Sequence, residues 1–421
     1  MASVMVRLTR RILPVALLAA AAAGCVHGRP SAPPSPEPQP AAPSHTLTPS
    51  AIPPTPSVPP PASPPPPSPT STPPPTPDGV LTRGPYLQSP TSDSIVIVWE
   101  TDRPMPGEVI YGRSGAYDQR IASAGTGLRH ELTLTGLEPG TEYGYWIASS
   151  GYPLADAGSF RTAPAADDPS FTFVTYGDSR SGHATHRLIA ERILALTPDF
   201  ALHTGDLVGF GSRASEWDRF FDIERAMLAS VPLFPSLGNH EQNSRDYFDA
   251  FVLPGNERWY AFDWGNARIA VLQIDAIMPF GKQSEQVQWL ESTLAANTQP
   301  WLIVCFHIPP YDALPEDNMG DAVRINIVPL LERYGVDLVL NGHNHNYQRS
   351  IVNGITYLVT GGAGAELDYL DGPDPDTEAF YNGHHLVYFI VDGDTLTGRA
   401  ITTNGTTVDT FTLSADGSSR H

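Results

Sequence analysis

The chain has 421 residues, of which 41% are hydrophobic, 44 are prolines and 2 are cysteines. That length points to two or three domains with real cores, and two cysteines exclude a disulfide framework. A formal net charge of -20 excludes nucleic-acid or anionic-membrane binding by general electrostatics, so an anionic substrate would need positive charge supplied locally.

Residues 1–25 read as an export signal. Arg7, Arg10 and Arg11 make a basic start, and Ile12 to Ala23 form an apolar stretch too short to span a bilayer. Ala22-Ala23-Gly24-Cys25 then places small residues before a cysteine. This resembles a bacterial lipobox, which implies that Cys25 is lipidated and anchors the mature chain to a membrane. Ala22 stands where that box usually has leucine, and an ordinary secretory signal cleaved nearby is the other reading. Residues 26–79 are a linker dominated by Pro, Ser, Thr and Ala. Such a segment cannot bury enough surface to offset its ordering entropy. Proline stiffness would let it serve as a stalk that lifts a folded body from a surface.

Residues 80–165 form a first domain of short strands. Ser94 to Glu100, Gly107 to Gly112, His130 to Leu137 and Glu142 to Ile147 are β-branched, aromatic or alternating, with a turn at Glu138-Pro139-Gly140-Thr141. The spacing predicts a β-sandwich. The run from Gly136 to Tyr145 resembles the later strands of a fibronectin type III domain, in which a tyrosine after the turn caps the sheet corner; Tyr143 takes that role. No catalytic constellation occurs here, and the aromatic residues read as core.

Residues 166–415 switch to strand, loop and helix. Phe171 to Tyr176 runs into Gly177-Asp178-Ser179-Arg180, and Asp199 to Thr204 runs into Gly205-Asp206. Pro232 to Leu237 leads to Gly238-Asn239-His240-Glu241, Trp301 to Phe306 ends on His307, and Val336 to Asn341 leads to Gly342-His343-Asn344-His345. Cys305 lies inside one of these runs and reads as a small buried hydrophobe. Each ligand-type residue alone is ordinary in a turn. Their recurrence past five strand ends is not, because α/β folds assemble sites there. Asp, Asn and His suit Zn, Fe or Mn, and paired ions suit in-line displacement at phosphorus.

This ordered series resembles the calcineurin-like metallophosphoesterase family, and the preceding sandwich makes the whole similar to its purple acid phosphatase branch. The resemblance implies an all-β, fibronectin type III-like domain followed by an α/β domain of two packed mixed sheets flanked by helices. It implies two transition-metal ions (Fe, Zn or Mn). Asp206 would bridge them, Asp178 and His345 would bind the first, and Asn239, His307 and His343 the second. A metal-activated hydroxide would attack phosphorus, with His240 donating to the phosphate or protonating the leaving oxygen. Glu241 matches no ligand position, and either orients His240 or is solvated.

Two departures fall on the first ion. The wider family often has a histidine where Arg180 stands, and the purple branch a tyrosine where Gly209 stands. Without that tyrosine the iron–phenolate colour should be missing. His183 is a candidate metal or phosphate contact, and Arg180 could hold a phosphate with its planar fork. Residues 366–386 read as a rim loop ending in His384-His385, with structural and substrate-facing roles both open. The reading is an exported phosphoesterase, acid phosphatase-like and favouring monoesters. A phosphodiesterase or nucleotide hydrolase on the same site, and a non-catalytic surface binding module, are the alternatives.

Overall fold

The computed structural model describes residues 79–415, apart from 276, 313–317 and 369–375. The export signal, Cys25, nearly all of the linker and the middle of the 366–386 segment lie outside the described residues.

The first six strands are β1 (Leu81–Gln88), β2 (Ser94–Arg113), β3 (Gln119–Thr135), β4 (Glu142–Ser149), β5 (Tyr152–Pro153) and β6 (Gly158–Arg161). The two strands expected over Ser94–Glu100 and Gly107–Gly112 are one, since β2 runs 20 residues and pairs with β3 on both sides of an interruption. Its register shifts between Glu100 and Met105 and again between Pro106 and Glu108. Its first part pairs with β1 and its last part with β4, so one hydrogen-bonded sheet supplies the strands of both layers. Ile95, Ile97, Trp99, Val109, Tyr143, Ile147 and Phe160 fill the space between. Tyr143 is buried, and its hydroxyl accepts the Glu138 amide at 3.0 Å, which ties the turn to the sheet corner as expected.

The second part begins with β7 (Ser170–Tyr176), α1 (His183–Leu196), β8 (Phe200–His203), α2 (Ala214–Leu228), β9 (Leu233–Pro235) and α3 (Arg245–Ala250). It continues with β10 (Tyr260–Trp264), β11 (Ala267–Val271), α4 (Glu285–Ala295), β12 (Trp301–Cys305), α5 (Asn318–Asn326), α6 (Val328–Arg333) and β13 (Leu338–Asn341). Strands β14 (Tyr347–Val352), β15 (Ile355–Thr360), β16 (Thr377–Tyr381), β17 (His385–Asp392), β18 (Thr395–Thr402) and β19 (Thr407–Ser414) close it.

These strands make two mixed sheets, ordered β19-β18-β17-β7-β8-β9 and β10-β11-β12-β13-β15-β14-β16. Strand periodicity explains how they stack. In β12, Ile303 and Cys305 face the core shared with Phe173, Phe200 and Phe389 of the other sheet. The alternate residues Leu302 and Val304 face α4 and α6 through Leu290, Leu294 and Leu331. Both faces are covered, which is why this strand reads as a continuous apolar run. Cys305 is fully buried, and burial pushes its thiol pKa well up, as suits a packing residue.

The first domain is fastened to the second by buried polar contacts. The Tyr86 hydroxyl donates to the Ala250 carbonyl at 2.6 Å and the Tyr145 hydroxyl to the Ala229 carbonyl at 2.8 Å. Strands β7, β8 and β9 run parallel in one sheet, as do β11, β12 and β13 in the other. Their carboxyl ends bring the five expected loops to one place.

Candidate metal centre

The loops turn sharply the moment each strand ends. Asp178, Asp206 and His343 all adopt left-handed backbone conformations, with φ of 56°, 58° and 71°. Side chains rarely accept that region, and such residues gather at functional sites. Two of the glycines that open these loops, Gly342 before His343 and Gly238 before Asn239, are required by space. A Cβ on Gly342 would stand 2.5 Å from Asp178 Oδ2, and one on Gly238 would overlap Asp206 Oδ1. Small residues there let the carboxylates reach the centre.

Asp178, Asp206 and His307 are buried, with ligand atoms all within 4.8 Å of one another. His307 Nε2 lies 3.1 Å from Asn239 Oδ1, 3.3 Å from His343 Nδ1 and 3.4 Å from Asp206 Oδ1. Its other ring nitrogen faces the Thr204 carbonyl at 2.8 Å, which holds the imidazole edge-on to this group. A backbone partner of this kind fixes the tautomer and aim of a metal-binding histidine. On the opposite side His345 Nε2 lies 3.5 Å from Asp178 Oδ1, and Nδ1 faces the Glu366 carbonyl. The Asp368 carboxylate accepts the His345 amide at 2.6 Å.

Charge is balanced inside the cluster. Burial works against ionised Asp206, but His307 and His240 outweigh it and hold its pKa below the usual carboxylate range. Burial likewise works against charged His307, and Asp206 with Asp178 overcome it and raise its pKa. Asp178 Oδ1 is buried and accepts no hydrogen bond. Such a cluster asks for a cation.

Residues 172–347 match the model of the calcineurin-like phosphoesterases, and residues 84–162 that of the purple acid phosphatase N-terminal domain. The chain carries a calcineurin-like metallophosphoesterase domain behind a purple acid phosphatase N-terminal domain. It is 29% identical over 322 residues to a phosphoenolpyruvate phosphatase of Allium cepa, covering 67% of this chain and 64% of that one. It is 27% identical over 347 residues to purple acid phosphatase 15 of Arabidopsis thaliana, covering 68% and 64%. A solved purple acid phosphatase from yellow lupin (Lupinus luteus) seeds shares the fold, with a TM-score of 0.68 at 20% identity over 79% of this chain and 74% of that one. Against four curated relatives, the chain spans 54% to 64% of their length.

Within the metallophosphoesterase domain, the structure gathers Asp178, Arg180, Asp206, Asn239, His240, His307, His343 and His345. His240 donates its amide to Asp206 Oδ1 at 3.0 Å. Its Nδ1 faces the Gly209 carbonyl at 2.7 Å, leaving Nε2 3.7 Å from Asp206 Oδ2. His183 is placed apart. It is the exposed first residue of α1, and its charged neighbours are Arg219, His186 and Glu216 rather than the cluster carboxylates. The helix begins at once after Gly182 and carries the imidazole toward α2. His384 and His385 face backbone carbonyls, those of Gly362 and Gly383.

Glu241 is neither solvated nor bonded to His240. It is fully buried and accepts the amides of Gly238, Asp206 and Val208 at 2.7, 3.0 and 3.2 Å. Burial and the nearby Asp206 push its pKa up to about 8. The one sequence signal for this role is its place directly after Asn239-His240. Gly209 also has a positive use. A Cβ there would meet Glu216 Oε2 at 2.8 Å, and that carboxylate accepts the Gly209 amide at 2.7 Å. The space beside the position that a tyrosine would occupy is thus taken by a hydrogen-bonded glutamate.

Proposed function

We propose that this chain is an exported, metal-dependent phosphoesterase that hydrolyses phosphate monoesters. The convergence of Asn239, His307, His343 and Asp206 carries this reading. One amide oxygen, two imidazoles and a carboxylate form a donor set suited to Zn, Fe or Mn, and the Thr204 carbonyl already aims His307 at it. A bound ion would lower the pKa of water and offset phosphate charge.

The chain's own residues supply the rest. Asp206 shares its carboxylate between the two sides of the centre. His240 keeps its Nδ1 proton on the Gly209 carbonyl, so a proton held at Nε2 is the one it can pass to a leaving oxygen. Arg180 is half-buried at the same opening and offers a planar array of donors to phosphate oxygens. The family implies a second ion, between Asp178, Asp206 and His345. Those residues fit it less well. They offer three donor side chains, Gly209 and Arg180 stand where a fourth would be, and the guanidinium contacts two of the three.

Export and anchoring through Cys25 belong to this reading and rest on residues 1–25 of the sequence. The test is hydrolysis of aryl phosphate mono- and diesters by the full chain, with and without chelator, alongside cell fractionation. The expected result is metal-dependent turnover favouring the monoester by roughly tenfold or more, in a membrane fraction that Cys25→Ser empties. A metal-replete protein without turnover would overturn it in favour of a binding module.

A further inference from the structure

We propose that the Arg180 guanidinium takes the place of the second metal ion, so that each chain holds one ion and meets phosphate with an arginine on its Asp178 side. The phosphate part rests on the phosphoesterase reading; the ion count does not.

The geometry is specific. Arg180 Nε lies 3.1 Å from Asp206 Oδ2, and Nη2 lies 3.3 Å from His345 Nε2. These are the two atoms that an ion on this side would need besides Asp178. The guanidinium is not a passing surface group, because its side chain is only 19% exposed. His345 cannot turn away, since its Nδ1 is held by the Glu366 carbonyl and its amide by Asp368. A metal ion among Asp178, Asp206 and His345 would sit against a permanent positive charge in a buried place, where repulsion is little screened. Among the described residues no further ligand compensates. Gly209 has no side chain, and Glu216 fills the space beside it.

Charge supports the exchange. Asp178 and Asp206 bring two negative charges. Asp178 Oδ2 already accepts the His343 amide at 2.9 Å, while Oδ1 accepts nothing. One divalent ion on the Asn239 side and one guanidinium on the other exceed the charge of these two carboxylates by one and put positive groups on both sides of an incoming phosphate. Arginine also presents paired donors in the geometry of phosphate oxygens, which a single ion does not.

The test is the metal content of the full-length protein, loaded with excess Zn, Mn or Fe and desalted, together with its affinity for inorganic phosphate. The wild type should hold one ion per chain, and Arg180→His should hold two. Arg180→Ala should keep its ion but bind inorganic phosphate about 10–100-fold more weakly. Two ions in the wild type would overturn the proposal, as would one ion in Arg180→His or unchanged phosphate affinity in Arg180→Ala. Arg180→Lys guards against a folding artefact, since it keeps the charge and should keep the single ion. One ion with Arg180-dependent phosphate binding and no turnover would sink the phosphoesterase reading alone. Turnover with two ions would sink this one alone.

Discussion

The two sides of the centre share the loops after β8 and β13, yet they are finished differently. On one side Asn239, His307 and His343 converge with Asp206, and His307 is aimed by a backbone carbonyl. On the other, Asp178 and His345 face each other and an arginine fills the remaining angle. The strands alone do not cause the difference, because β8 through Asp206 and β13 through His343 and His345 deliver residues to both sides. It comes from two single positions, Arg180 and Gly209. A fold can therefore keep the same strand ends and still present different groups on the two halves.

The sharpest way to break this comparison is to remove one histidine from each half. His343→Ala should lose the ion and reduce turnover on the order of 10^3-fold. His345→Ala should keep the ion and lose roughly tenfold, because Arg180 retains Asp206 as a partner. Metal analysis and kcat on both variants decide it. Equal losses of ion and rate would erase the distinction between the halves.

A smaller effect should reach the complete half through its scaffold. Glu241 gathers three amides from the loops after β8 and β9, the loops that carry Asp206 and Asn239. Glu241→Gln keeps the shape but turns one acceptor into a donor facing donors. Buried polar groups left mismatched are costly. Metal affinity should fall about 10–100-fold, the range seen when groups that orient ligands are changed, while the Arg180–His345 contact stays in place. Metal titration with a competing chelator measures the first, and phosphate affinity at saturating metal reports the second.

How far the sequence reaches depends on how local the cause is. That the residues after β7, β8, β9, β12 and β13 come together was legible because strand period, glycine and ligand type all lie within a few residues. Tyr143 was legible from its turn for the same reason. Arg180 stood out as a departure, but its contact with His345 crosses 165 positions and no spacing encodes it. Glu241 read as orienting His240 or as solvated, because both fit a charged residue beside a site; only the packed fold shows it buried on three amides. His183 misled because closeness in sequence to Asp178 ends where α1 starts. The single sheet of the first domain was hidden because Pro104 and Pro106 interrupt the strand pattern while the register shifts keep β2 paired.

The mildest expected effect falls on the Arg180 side and is a matter of pH. Gly361 and Gly362 wall that side, and a Cβ on Gly361 would stand 2.7 Å from Asp178 Oδ2. Behind them His385 is fully buried, with Nδ1 on the Gly383 carbonyl and Tyr347 edge-on to its ring. Burial lowers its pKa from 6.5 to about 4, and neighbouring His384 pushes the same way. Between those two values the unfolded chain takes up a proton that the folded chain refuses, so acid favours unfolding. The contribution is complete above 6.5 and is lost as pH falls through 4. By roughly pH 5.5 it should cost about 1 to 1.5 kcal/mol. His385→Asn keeps a donor near the Gly383 carbonyl without the titration, so its melting temperature should fall less with acid than the wild type's. Amide exchange should show where the loosening begins. Ala363 and Ala365 donate to the carbonyls of Gly177 and Asp178, and these amides should open in acid before that of His240. If His240 opens first, the weaker half has been misidentified.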